Sequence, residues 1–184
     1  MNNPIPILCT ERLILRPFKL ADAPLVEKYA GDSDVAQYLT RIPHPYPEGE
    51  AETWIKKHID EFNNNECVNW AITIKDTGEF IGCVGVDYFM NDDMGRLGYW
   101  FGKSFWGNGF ATEAVESVVE WLFKIKNFNR VYAGYFSCNK NSGNVMKKVG
   151  MKHEGTYRKH AKKNGVYHDV EIYGILKSEF CSQC

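Results

Sequence analysis

Residues 105–114 read FWGNGFATEA. Gly107 and Gly109 stand one residue apart, and a run of helix formers follows at once. A strand that runs into a glycine turn and then a helix makes an anion site. The first N–H groups of a helix have no partners inside it, and the helix dipole favours negative charge there. Glycine removes the Cβ that would keep a phosphate away from the backbone. The stretch therefore predicts a phosphate-bearing ligand over residues 107–111. It is not a Walker A loop, because no lysine is placed to reach the phosphates. It is not a Rossmann fingerprint, because the third glycine is missing and antiparallel-looking strands precede it. On the glycines alone, a ligand loop and a tight turn that merely needs positive φ stand side by side.

The flanking pattern gives the fold class. After the loop, Ala111, Ala114, Val115, Val118, Val119 and Leu122 recur at helical spacing. Before it, residues 68–75 and 80–89 alternate around a DTGE turn as a hairpin, and residues 96–101 form a third strand. After it come a strand at 130–137 and a helix at 142–149 stopped by Gly150. Two last strands, 151–157 and 166–176, pair around KKNG. At the start, residues 7–18 read as one strand. Asp22 and Pro24 open a helix to residue 30, and Ser33 caps a short helix at 34–39. Three prolines in RIPHPYPEG forbid regular structure, and a helix spans 50–62 with Trp54, Ile55, Ile59 and Phe62 on one side. Trp54, Trp70 and Trp121 read as core. The expectation is one mixed α/β domain over residues 1–184, with a mostly antiparallel sheet of about seven strands flanked by helices. Residues 177–184 are expected to be a loose tail.

Composition removes other classes. The chain has 184 residues, 44% hydrophobic and 24% charged, with net charge −1, so no basic surplus argues for nucleic acid or a membrane surface. No apolar run approaches membrane-spanning length, and MNNPIPILCTERL carries no signal-peptide pattern. A cytoplasmic protein is expected. The six cysteines are scattered, as in a reduced chain, and no metal site is expected. Cys181 and Cys184 form a terminal CxxC without a second pair, which reads as a frayed end.

Two longer blocks narrow the loop. GRLGYWFGKSFWGNGFATEAVESVVEWLF resembles the acetyl-CoA-binding segment of the GNAT superfamily of N-acetyltransferases. It is most similar to the branch holding the ribosomal-protein alanine and serine N-acetyltransferases, whose pattern is GYW, a spacer, then YWGxGYATEA. NRVYAGYFSCNKNSGNVMKKVGMKHEGTYR matches the same branch with Asn139, Ser142, Lys148, Gly150 and Glu154-Gly155 on its Asn-x-x-Ser, Lys-x-Gly and Glu-Gly positions. The opening TERLILRPF and HPYPEGEAETWI are also family-like. Two positions depart: Ser104 where the superfamily has Gln or Arg, and Arg96 where the branch often has Glu.

The resemblance implies a GNAT-like sheet with a V-shaped splay between the strands at about 96–102 and 130–137. It implies acetyl-CoA as co-substrate, no metal, and direct transfer to an amine. The acceptor would be a protein N-terminus, possibly of a ribosomal protein, or a small-molecule amine, and the state a monomer or homodimer. A non-catalytic CoA-binding module is the alternative from another class. Phosphates fall to Trp106, Gly107, Asn108, Gly109, Phe110, Ala111 and Thr112. The pantetheine falls along Trp100, Phe101 and Gly102, within reach of Asn139 and Asn144. Backbone at Leu97, Gly98 and Tyr99 would contact the carbonyl oxygen. Ser142 is the candidate proton donor to the thiolate, against a plain N-cap role. His44 and Asp87 are acceptor-side candidates, and His44, Asp87, Glu154 and Glu171 are candidate bases. Glu113 reads as an inward helix residue or as first-turn dipole complement.

Overall fold

The computed structural model describes residues 4–40 and 42–180. The terminal CxxC lies outside the described residues. The chain order is β1 (Leu8–Cys9), β2 (Leu13–Arg16), α1 (Ala23–Ala30), α2 (Ser33–Ala36), α3 (Glu50–Asn63), β3 (Cys67–Ile74), β4 (Phe80–Phe89) and β5 (Met94–Phe101). It continues with α4 (Phe110–Lys124), β6 (Arg130–Phe136), α5 (Lys140–Lys148), β7 (Lys152–Lys163), β8 (Val166–Leu176) and α6 (Lys177–Phe180). The strands form one sheet of eight in the order β1-β2-β3-β4-β5-β6-β8-β7. Every neighbouring pair is antiparallel except β5 and β6, which α4 connects.

The eighth strand comes from the first segment. Residues 7–18 are not one strand but the hairpin β1–β2, with Leu8 opposite Leu15. The turn between them is closed locally by Thr10, which accepts from Leu13 N at 2.9 Å. It is anchored from far away by Glu113, whose carboxylate takes Thr10 Oγ1 at 2.6 Å and Arg12 N at 2.8 Å. No alternation pattern carries a partner about a hundred residues distant. The other shifts are smaller. Asp32, not Ser33, caps α2 by accepting from Asp34 N at 2.8 Å. Asp22 precedes α1 as expected, but its carboxylate faces back to Arg16, in a two-pronged pair at 2.7 and 2.8 Å. Strand β7 runs on to Lys163 across an irregularity between Tyr157 and Ala161. Lys159 sits there at φ 50, and its N–H is taken by Asp169 at 2.7 Å. Where a loose end was expected, Lys177–Phe180 make a helical turn, and the Phe180 ring packs 5.4 Å from Phe123.

Both sheet faces are covered. On one face α4 buries Ala114, Val115, Val118, Val119, Trp121 and Leu122 against Leu13, Leu15, Trp70 and Ile72. On the other, α1 and α3 close a second cluster with Val26, Ala51, Ile55, Phe80, Cys83 and Trp100. Truncating a fully buried side chain such as Leu122 to alanine costs about 2–5 kcal/mol. The rigid sandwich holds the β5–β6 junction in place, and the junction is where the sheet opens.

Candidate active site

The parallel ladder between β5 and β6 runs only from Met94–Arg130 to Leu97–Ala133. Beyond it, residues 98–101 keep β4 on one side and residues 134–136 keep β8 on the other. The two strands diverge, and the inner backbone edge of β5 is left without a strand partner. The first turn of α5 sits under the gap as a wedge. Tyr99, on β5, donates to Ser142 O at 3.2 Å. On β6, Tyr135 lies so close to Gly143 that a Cβ there would sit 2.3 Å from its hydroxyl. Burial pushes the Tyr99 phenol up to about 12. Tyr135 is also pushed up to about 12, by burial and then by its hydrogen bond with Tyr173. Both rings face the cleft as neutral phenols at physiological pH.

Above the gap lies the glycine turn. Gly107 and Gly109 both adopt φ 80, the left-handed region that only glycine enters freely. Gly109 is the N-cap of α4 and offers no side chain to its amides. Glu113 N bonds Gly109 O at 3.2 Å, so the helix ladder begins there and the amides before it point outward. Side chains hold the turn in that form. Trp106 Nε1 donates to Phe101 O at 2.8 Å, and Asn108 Nδ2 donates to Phe105 O and Trp106 O, each at 3.2 Å. Trp106 and Asn108 thus staple the loop with their side chains. Trp100 turns its ring into the second core, beside Phe80, which leaves its backbone as the part at the strand edge.

Sequence reasoning missed Arg12. Its Nε pairs with Glu113 at 2.7 Å, its Nη1 donates to Asn108 O at 3.0 Å, and its guanidinium lies 4.8 Å above the Phe110 ring. Its Nη2 is 3.4 Å from where a Gly109 Cβ would be. One arginine from the β1–β2 turn therefore binds both the glycine loop and the first turn of α4. Burial would raise the Glu113 carboxyl, but bonds from Thr10 and Arg12 outweigh it and hold the group below its ordinary value. Nothing in TERL or ATEA taken singly shows that the two segments meet, because the contact spans about a hundred residues.

Asn139, not Ser142, is the N-cap of α5. Its Oδ1 accepts from Ser142 N at 3.4 Å, and its Nδ2 donates to Ser142 Oγ at 3.1 Å. The two bonds fix the amide orientation, since a backbone N–H can only donate. Ser142 Oγ is thereby an acceptor toward Asn139, and its own proton is left for another partner. A cleft of about 1700 Å³ joins these parts, lined beside the glycine turn by Gly107, Gly109, Ala111 and Thr112 and at the junction by Leu97, Gly98, Tyr99, Phe101, Asn139, Ser142 and Asn144.

The acceptor-side candidates divide. His44 is not among the residues lining the cleft; its Nδ1 bonds Gly31 O at 2.9 Å. His160, which fell between the expected strands at 151–157 and 166–176, lines the cleft from within the irregularity in β7. Asp87 lines the cleft but is paired with Arg96 at 2.6 Å, so the arginine that departs from the family pattern meets a carboxylate. Glu154 is paired with Arg130. Glu171 accepts from Ser137, Thr156 and His153, each at 2.7 Å, and these bonds hold its carboxyl down at about 2. Glu171 at that value is a poor base near neutrality. Burial, with Glu61 beside it, pushes the Cys67 thiol up to about 12, and burial raises Cys83 as well, so neither is a ready nucleophile. Among the described residues, no group of three or more His, Cys, Asp or Glu is placed to hold a metal ion, and no helix is long and apolar enough to cross a membrane.

Comparison with known proteins agrees with this geometry. Residues 12–152 match the acetyltransferase (GNAT) domain family. An N-acetyltransferase of Bacillus licheniformis, p20, is 31% identical over 175 residues, covering 94% of this chain and 97% of its own length. The crystal structure of a GNAT-family acetyltransferase from Bacillus anthracis superposes with a TM-score of 0.85 at 24% identity, covering 95% of this chain and 100% of that one. A ribosomal L7/L12 α-N-protein acetyltransferase, solved with coenzyme A, superposes with a TM-score of 0.83 at 18% identity, covering 93% of this chain and 98% of that one. The split between β5 and β6, the uncapped glycine turn beside it and the family match over most of the chain place this protein in the GNAT family, as an N-acetyltransferase.

Proposed function

We propose that the protein transfers the acetyl group of acetyl-CoA by direct attack of an amine, and that the amine is the N-terminus of a protein or peptide. The observation that carries the reading is the unpaired edge of β5 lying next to the uncapped start of α4. The amides of residues 107–111 accept the pyrophosphate, with the positive end of α4 behind them. Residues 100–102 offer backbone to the amide groups of the pantetheine, as a strand would, and Asn139 and Asn144 flank it. At the splay, backbone N–H groups of residues 97–99 steady the negative charge that grows on the carbonyl oxygen. The amine nitrogen bonds to the carbonyl carbon as the carbon–sulfur bond breaks. Ser142 gives its hydroxyl proton to the departing sulfur and regains one from solvent. The amine sheds its own proton to water.

The apolar wall of the cleft, rather than its charge, favours a peptide end. Asp87 and Glu154 are each paired with an arginine, while Glu50, Glu61 and Glu66 also line the cleft. Tyr38, Leu39, Tyr46, Tyr157 and Ile172 supply apolar wall for a side chain next to the amine. The solved relative that acts on the α-amine of ribosomal L7/L12 is in line with this choice. The test is thiol release from acetyl-CoA with Ala- and Ser-initiated peptides and with spermidine. Release with a peptide supports the reading. Release with spermidine alone makes the acceptor a small amine, and tight CoA binding without turnover on any acceptor makes the protein a CoA-binding module.

A further inference from the structure

The acceptor end of the cleft has two walls. One is the segment after α2, with Tyr38, Leu39, Ile42 and Tyr46; the other is the β7–β8 hairpin, with Tyr157 and His160. Lys163 joins them. It stands at the tip of β7, opposite Val166, where Asn164 at φ 48 and Gly165 at φ 82 turn the chain. Its ammonium reaches across to Leu39 O at 2.8 Å and to Ile42 O. Lys163 is only 8% exposed, a rare condition for a lysine. Burial holds its pKa below the ordinary lysine value, and the compensation comes from two carbonyl oxygens rather than from a carboxylate. A cation is buried here in order to hold two backbone oxygens of a proline-rich segment that no ladder supports. The carbonyls at 39 and 42 fix where Leu39, Ile42 and Tyr46 sit, and these side chains in turn pack on the second core.

We propose that Lys163 is a specificity-determining positioning residue, a strap that holds the proline-rich wall against the β7–β8 hairpin and so sets which amines fit the acceptor end. The proposal rests on the acetyltransferase reading for its kinetic arm, and on the fold alone for its structural arm. Lys163→Met keeps the aliphatic stem and removes the donors. Hydrogen exchange of the ligand-free protein should then speed up at least about tenfold for amides of residues 38–46, with β3–β5 unchanged. With Ala- and Ser-initiated hexapeptides as acceptors, the acceptor KM should rise about tenfold while the acetyl-CoA KM stays within about twofold. Lys163→Arg, which can still donate to both carbonyls, should restore most of the exchange protection. Unchanged exchange in Lys163→Met overturns the strap. So does an equal rise in both KM values with a general loss of melting temperature, which marks a plain packing role. If the wild-type protein turns over no acceptor, the acetyltransferase reading fails while the exchange experiment still decides the strap.

Discussion

The two ends of the cleft are built on different logics. At the proposed donor end the backbone would be the binding surface, and side chains stand behind it: Trp106 and Asn108 staple the turn, and Arg12 and Glu113 clamp it to α4. At the acceptor end side chains are the surface, and the backbone behind them is irregular, with Lys163 bonding two of its carbonyls. The difference fits the two tasks. A pyrophosphate needs amides at fixed points, which a glycine turn supplies only when it is over-constrained. An acceptor needs shape, which loops can vary without disturbing the sheet. Perturbing the donor end should therefore move the acetyl-CoA KM, and perturbing the acceptor end should not.

The largest break should come from Gly109→Val. At φ 80 a β-branched residue is strained, and its side chain would also point at Arg12 Nη2. Acetyl-CoA binding should weaken by about a hundredfold or more, about 3 kcal/mol, with the far-ultraviolet spectrum retained. Titration calorimetry checks it, and normal affinity would remove the phosphate role of the loop. Next in size is Ser142→Ala. With Asn139 still in place as the cap, kcat should fall by roughly thirtyfold, less than the ~100-fold or more a lost proton donor usually costs because water can protonate the thiolate instead, while both KM values stay near wild type. An unchanged kcat at saturation would reduce Ser142 to a member of the first turn. Arg12→Ala comes third. It removes one clamp and no amide, so the acetyl-CoA KM should rise about tenfold, ~1.4 kcal/mol, with the acceptor KM unaffected. Equal shifts in both constants would mean that Arg12 serves the fold rather than the loop.

Much of this was legible because the donor end is local. The glycines, the helix after them and the Asn-x-x-Ser turn lie within continuous stretches whose backbone chemistry dictates their form, and the hairpin of β3 and β4 announced itself by alternation. What escaped depends on partners distant in the chain. The β1–β2 turn and the role of Arg12 need Glu113, and the placement of His160 needs the Asp169 carboxylate that holds the irregularity in β7. His44 looked eligible because it lies in the proline segment, yet its ring is spent on Gly31 O. Neighbourhood in sequence is a fair guide to backbone and a poor one to which way a loop side chain turns.

Acid should act on α3 before it acts on the Arg12–Glu113 clamp. His58, on α3 between Phe18 and Trp54, is 4% exposed, and neither ring nitrogen has a hydrogen-bond partner. Burial lowers its pKa to about 4, against an ordinary value near 6.5. Between those values the unfolded chain binds more protons than the folded one, so stability rises with pH and is lost as pH falls from about 6.5. From pH 7 to pH 5 the loss from this one group is about 2 kcal/mol, or about 5 °C in melting temperature for a chain of this size. Glu113 behaves in the same sense in a lower window: its carboxyl is depressed from 4.5, so the stability it adds is intact at pH 5 and goes only below that. His58→Phe keeps the edge-on aromatic contacts with Trp54 and Phe18 and carries no proton. Kinetics at pH 7.5 should hardly change. The melting temperature should drop less between pH 7 and pH 5 than in the wild type, by about the 5 °C that His58 accounts for. Parallel melting curves for the two proteins would show that the acid sensitivity does not sit at His58.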